Sequence, residues 1–194
     1  MNRHFLFAII LFVAVTGCEK SKTTPVAQQT RSDACSLITN DEVQAIQGSP
    51  VKETKPSEQS DDHFRLTQCF YTTEVFNKSV SLAVTERNPT SASARDPKDF
   101  WKDTFGRYEQ TTAQQTEEVK EKKQSLNEQE ERGRPPKKIE GVGDSAWWTA
   151  NRTGGALYVL KNNAFIRISV GGPEAEEEKI EKSKKLAVKA VSRL

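Results

Sequence analysis

The chain has 194 residues, with 29 Lys and Arg against 27 Asp and Glu and a formal net charge of +2. That near balance argues against a nucleic-acid-binding protein, which needs a clustered cationic surface. Apolar residues make up 35% and charged residues 29%, so the core is modest and the length suits one domain with long polar connections.

Arg3 gives the N-terminus a positive charge, and Phe5 to Val15 is an unbroken run of 11 apolar residues. A membrane-spanning helix needs about 20. A run this short suits the h-region of a signal peptide. It ends in Val15-Thr16-Gly17-Cys18, which resembles the bacterial lipobox. There the small residues let a peptidase approach the backbone, and the cysteine thiol takes the lipid. Residues 1–17 are therefore expected to be a lipoprotein signal peptide, cut before Cys18. Durable anchoring needs more than one acyl chain, and bacterial lipoproteins carry such a set. The expected address is the cell envelope, lipid-anchored and extracytoplasmic. Glu19 stands where an aspartate resembles an inner-membrane retention signal, which favours the outer membrane in a diderm host. Residues 18–34 combine the lipidated cysteine with a polar tether, a coil reaching ~20–25 Å.

Setting Cys18 aside leaves Cys35 and Cys69. In an oxidising compartment such a pair reads as a disulfide; the alternative is two free thiols. The domain is expected to run from 35 to 194. Thr39 and Glu42 form a T-x-x-E capping box. Ile38 can staple onto Val43, Val43 and Ile46 face the core, and Gly48 suits the C′ position, with Pro50 blocking continuation. Residues 51–66 are polar and read as irregular. Cys69 to Thr73 has strand composition. After a turn at Asn77-Lys78, Ser79 to Thr85 alternates, with Val80, Leu82 and Val84 inward.

Asp96-Pro97 opens a second helix, proline being suited to the first helical position. Its Phe100, Trp101, Phe105 and Tyr108 share one face. Residues 109–139 form a charged insertion, either a solvated helix or disordered. Ser145–Ala150, Ala156–Lys161 and Ala164–Val170 then read as a three-strand meander, with turns at Thr153-Gly154-Gly155 and Asn162-Asn163. Glu174 to Leu194 is an amphipathic helix, acidic at its start and basic at its end, as the helix dipole favours. Ile180, Ala187, Val191 and Leu194 make its buried stripe. The class is α+β: an antiparallel sheet of two strands plus the meander, with helices packed on one face.

Catalytic motifs are scarce. Past residue 17 the sole histidine is His63, which removes most Ser-His-Asp and Cys-His arrangements. Ser60-Asp61-Asp62-His63 reads as a solvated loop, because chain neighbours rarely converge on one ion; no metal and no cofactor are expected. Gly141-Val142-Gly143-Asp144-Ser145-Ala146 matches G-x-G-x-x-A but lacks the strand before and helix after that a dinucleotide site needs. Ser49-Pro50-Val51-Lys52 matches S-x-x-K without the helix start that motif requires. Trp147 and Trp148 are the candidate binding residues. Adjacent strand residues point to opposite faces, so one indole enters the core. The other is exposed or fills a groove, able to anchor a partner, unless the C-terminal helix or the 109–139 segment covers it.

Asp33-Ala34-Cys35-Ser36-Leu37-Ile38-Thr39, then Glu42-Val43 and Gly48, resembles a group of bacterial lipoproteins best known in actinobacteria. These begin with a Cys-Ser-Leu-Leu-Thr segment, a short helix and a glycine. Cys69 before Phe70 and Tyr71, and Gly141 to Trp147 as Gly-x-Gly-Asp-x-Ala-aromatic, extend the likeness over about half of the chain beyond Cys18. The resemblance implies a two-cysteine extracytoplasmic domain, and since that group has no known function it implies no active site. The expected function is a non-enzymatic binding or adaptor module of the envelope, held to the membrane through its lipid and meeting a protein or cell-wall partner. The alternatives are a carrier or sensor of a small apolar ligand, and a hydrolase using carboxylates alone, which would need a facing pair ~5–9.5 Å apart.

Overall fold

A computed structural model describes residues 33–114, 134–151 and 154–194. The signal peptide, Cys18, the tether up to residue 32, residues 115–133 of the charged insertion and Thr153 of the expected turn lie outside the described residues.

A 3₁₀ turn at Ala34–Ser36 leads into helix α1 (Asn40–Gln47). The capping box forms: Glu42 N–H donates to the Thr39 hydroxyl at 3.2 Å, and Thr39 N–H donates to the Glu42 carboxylate at 3.0 Å. Gly48 ends the helix at φ 64°, a left-handed conformation that favours glycine. Strands β1 (Val51–Ser60), β2 (Phe64–Thr73) and β3 (Val80–Arg87) follow, then α2 (Pro97–Gln114). A two-residue β4 (Lys137–Lys138) precedes β5 (Ser145–Asn151), β6 (Gly154–Lys161) and β7 (Ala164–Val170), and α3 (Glu176–Val191) closes the fold. All seven strands join one antiparallel sheet in the order β1-β2-β3-β7-β6-β5-β4. The α+β class is therefore as the sequence indicates.

Two details differ from expectation. Residues 51–66 are not irregular: they hold β1 and the start of β2, paired from Val51↔Thr73 to Ser60↔Arg65. As an edge strand, β1 needs no alternating apolar pattern, and Pro56 costs no ladder bond on an edge. Helices also occupy both faces of the sheet. On one face α1 and α3 cover Cys69, Tyr71, Val80, Leu82, Val84, Trp148, Leu157, Val159, Ile166 and Ile168. On the other, α2 sets Trp101 and Phe105 against Trp147, Phe165, Tyr158 and Leu160. The stripe of α3 is Ile180, Ser183, Leu186, Ala187 and Ala190, with Val191 and Leu194 at its margin.

The expected turn at Asn162-Asn163 is present. Asn162 takes φ 52°, and its N–H donates to Asp144 at 2.8 Å. Cys35 and Cys69 are disulfide-bonded, with Cα atoms 5.0 Å apart. The two ends of the fold meet where Arg193 donates to both Glu42 oxygens at 2.7 and 2.8 Å and to the Leu37 carbonyl at 2.8 Å. Those bonds hold the Glu42 carboxyl far below its ordinary 4.5.

Replacing Cys35 and Cys69 together by alanine frees a loop 34 residues long. It is expected to lower the unfolding free energy by about 4 kcal/mol on the chain-entropy account, read from urea titrations. Glu42 gives a second test. Its folded carboxyl titrates below the unfolded one, so its contribution is full above pH 4.5 and is lost as pH falls below it. Glu42→Gln should lose less stability than wild type between pH 7 and pH 3; equal losses would refute the assignment.

Candidate functional site

Neither candidate tryptophan is at the surface. Trp147 and Trp148 are each 2% exposed. They do point to opposite faces, but both faces carry helices. Trp148 lies in the main core, and Trp147 stacks on Phe105 of α2 with ring centroids 6.1 Å apart and beside Tyr108 at 6.0 Å. The aromatic-anchor role therefore falls for both residues. His63 lies in the exposed β1–β2 loop with Nδ1 3.0 Å from the Ser93 carbonyl oxygen. Gly141 and Gly143 take φ 80° and 62° in the turn before β5. Ser49 is buried and its hydroxyl accepts from the Val75 N–H at 3.2 Å, which makes it a loop clamp. The carboxylates of Glu58 and Glu86 converge on one buried guanidinium, that of Arg65, at 2.8 and 3.1 Å.

The concave feature with convergent polar groups lies elsewhere, at the end of the sheet where β6 and β7 part. Their ladder runs from Lys161↔Ala164 to Leu157↔Ile168 and stops there. β6 continues to Gly154 paired only with β5, while β7 continues to Val170 paired only with β3. The split leaves a groove of about 400 Å³ lined by Phe70, Ser81, Gly155, Arg167, Ser169 and Lys179, among others. Ser169 spans it, its hydroxyl donating to the Gly155 carbonyl at 2.7 Å.

Local sequence dictates this opening. A side chain at Gly155 would collide with the Trp148 indole, and one at Gly171 with the Asn77 carbonyl. Both positions must stay bare for the backbones to approach. The loop before β3 and the loop after β7 are tied together by Gln47, which is buried and whose side-chain amide donates to the Gly171 carbonyl at 3.0 Å and to the Lys78 carbonyl. Gly171 N–H donates to Ser79 at 2.9 Å. The groove thus has a fixed rim.

Register sets the floor. The row Lys55–Phe70–Ser81–Ser169 crosses β1, β2, β3 and β7, and the next row is Ser57–Gln68–Ala83–Arg167–Tyr158–Trp147. α2 covers the far end of the second row and leaves the first open. Neither row contains a carboxylate. Arg167 is half-buried; its Nε donates to the Tyr158 hydroxyl at 3.2 Å and its guanidinium carbon sits 5.9 Å from that ring centre. Its two terminal nitrogens have no carboxylate partner among the described residues, and neither has Lys179 of α3, on the same groove. Lys182 bonds Glu174 at 2.6 Å and Lys55 bonds Glu53 at 3.1 Å. The Lys182 bond also holds the Glu174 carboxyl below its ordinary range. Val75 and Phe76, both exposed, precede the groove-lining Asn77 in the chain.

Sequence reading did not single out these residues. The available signal was an arginine in mid-strand between Phe165 and Ser169, framed by two Gly-Gly pairs.

No family model and no curated protein matches the chain. Among solved structures, a GTP binding regulator from Thermotoga maritima is similar at 12% identity, over 77% of this chain and 87% of that one, with a TM-score of 0.36. A likeness at that level carries no argument about function.

Gln47→Leu keeps the bulk and leaves the Gly171 and Lys78 carbonyls unpaired, at an expected cost of about 1–3 kcal/mol. Gly171→Ala should cost at least as much through its collision with backbone. Urea midpoints of both variants within error of wild type would show that the rim is not tied as described.

Proposed function

We propose that this chain is a lipid-anchored extracytoplasmic binding module. Cys18 carries the lipid, the polar segment that follows it spaces the domain from the membrane, and the split between β6 and β7 receives the ligand. The carrying observation is Arg167, a half-buried cation pre-oriented by Tyr158 and without a carboxylate partner among the described residues. Leaving a partly desolvated charge uncompensated is unfavourable, and an incoming group that completes it gains accordingly. The groove, at about 400 Å³, falls within the range that holds small molecules or single recognition groups.

The envelope address is supported by the lipobox-like segment ending at Cys18 and by compatibility of the Cys35–Cys69 disulfide with an oxidising compartment. The reading is non-enzymatic. Among the described residues the groove is lined by two cations, hydroxyls, one amide, glycines and the apolar Phe70 and Val170, with neither imidazole nor carboxylate. An apolar-ligand carrier is less favoured, because the space between sheet and α3 is filled by Trp148, Leu157, Ile166, Ile168 and Leu186.

Two experiments test the proposal. Fatty-acid labelling in cells should mark wild type and leave Cys18→Ala unlabelled and released from the membrane fraction; a labelled, membrane-bound Cys18→Ala protein overturns the anchor. Photocrosslinking with benzoylphenylalanine in place of Phe70 should trap a recurrent species that is absent when the probe replaces Val188, an exposed position on α3. Absence of any species at Phe70, in cells where the protein is abundant, removes the groove as the binding site.

A further inference from the structure

Resting on the reading of the split as a ligand site, we infer that it takes the oxyanion head, carboxylate or phosphate, of a small amphiphile. Three observations converge. First, Arg167 lines the groove and its Nε is occupied by Tyr158, which leaves the two terminal nitrogens of the guanidinium without a carboxylate partner among the described residues. A planar guanidinium fork matches the two oxygens of a carboxylate or phosphate. Second, the groove adds donors of the same kind: Lys179, the Ser81 hydroxyl and the Asn77 amide. Of the acidic side chains, Glu174 is bonded through one oxygen by Lys182 and Glu53 by Lys55, and neither lines the groove. Third, the groove is not polar throughout. Phe70 lines it at 38% exposure, and the buried Val170 lines it as well. A simple inorganic anion has no use for that apolar margin. A ligand with an oxyanion at one end and a hydrocarbon segment beside it satisfies both halves.

The contacts needed are electrostatic and hydrogen-bonded at the head and apolar along the body. Affinity should therefore fall as ionic strength rises, and it should require both ends of the ligand.

The test uses the full chain in a neutral detergent, titrated with hexanoate, hexyl phosphate, hexanol and inorganic phosphate. Shifts of the Gly155, Gly171 and Gly172 amide resonances report occupancy, and detergent alone serves as the blank. Hexanoate or hexyl phosphate should saturate, while hexanol and inorganic phosphate bind at least several-fold more weakly. The preferred head group then says which oxyanion the site takes. Arg167→Gln should weaken binding roughly tenfold or more, the range of a charge-assisted hydrogen bond. Arg167→Lys should recover part of that loss, which a purely structural role against Tyr158 would not predict. If Arg167→Gln fails to fold, Lys179→Gln on the helix surface carries the test with an expected several-fold loss. Hexanol binding as tightly as hexanoate, with both unaffected by Lys179→Gln, overturns the oxyanion assignment and leaves the binding site standing. No saturable shift with any probe, together with no crosslink at Phe70, overturns the site itself.

Discussion

The antiparallel ladder between β3 and β7, seven registered pairs from Val80↔Val170 to Glu86↔Ala164, joins a meander made by β1, β2 and β3 to one made by β4 to β7. Its register fixes what lies at the end of the sheet. It brings the loop before β3 against the chain leaving β7, so closely that residue 171 has to be glycine to clear the Asn77 carbonyl. β7 stays paired with β3 as far as Val170 and β6 with β5 as far as Gly154, while the ladder between β6 and β7 stops at Leu157↔Ile168. The groove opens where the β6–β7 ladder ends short of the ladders on either side of it. It needs no additional loop to create it.

The same sheet is apolar on both sides, which decides where the helices go. Alternation along β7 sends Ile166 and Ile168 to one face and Phe165 and Arg167 to the other; β5 does likewise with Trp148 and Trp147. Burying a large aromatic side chain stabilises by a few kcal/mol relative to exposure, so neither face can be left wet. α3 and α1 take the aliphatic face, and the aromatic stripe of α2 takes part of the other, with Phe100 stacked on Phe165 at 5.5 Å. The first half runs β1 to β3 and then α2, the second β4 to β7 and then α3. The helices nevertheless land on opposite faces, and a twofold axis through the β3–β7 boundary would keep them on one. The two halves therefore share an order of elements without sharing a symmetry. α2 also covers only part of its face, so the row from Phe70 to Ser169 stays open beside the split.

What the sequence disclosed divides along physical lines. Where a local interaction dictates structure, the residues suffice. Thr39 and Glu42 announce the helix start, Gly48 its end, Asn162-Asn163 the tight hairpin, and alternation in Val80–Val84 and Ala164–Val170 the central strands. Where a tertiary partner dictates structure, they do not. β1 is polar, holds a proline and exposes nearly all its residues; it is a strand because β2 offers it an edge. Trp147 could be placed on a face, yet whether that face was covered depended on α2 reaching it. Arg167 was visible as an alternating residue, but its lack of a carboxylate partner follows from which residues share its row, a fact of register between strands distant in sequence.

Charge placement separates this arginine from the others that the fold buries in part. Arg65 lies between Glu58 and Glu86. Lys182 is likewise enclosed by Glu174 and Glu178. In each case the fold supplies the counter-charge that partial desolvation demands. At Arg167 it supplies a tyrosine hydroxyl and an aromatic face, which orient the guanidinium without neutralising it. Those contacts restrict its rotamers in advance, so a ligand would meet a cation whose ordering entropy is already spent. On the proposed reading, the serine-bearing sheet floor, the glycine rims held by Gln47 and the oriented cation form a preorganised receptor whose partner brings the negative charge absent from that row.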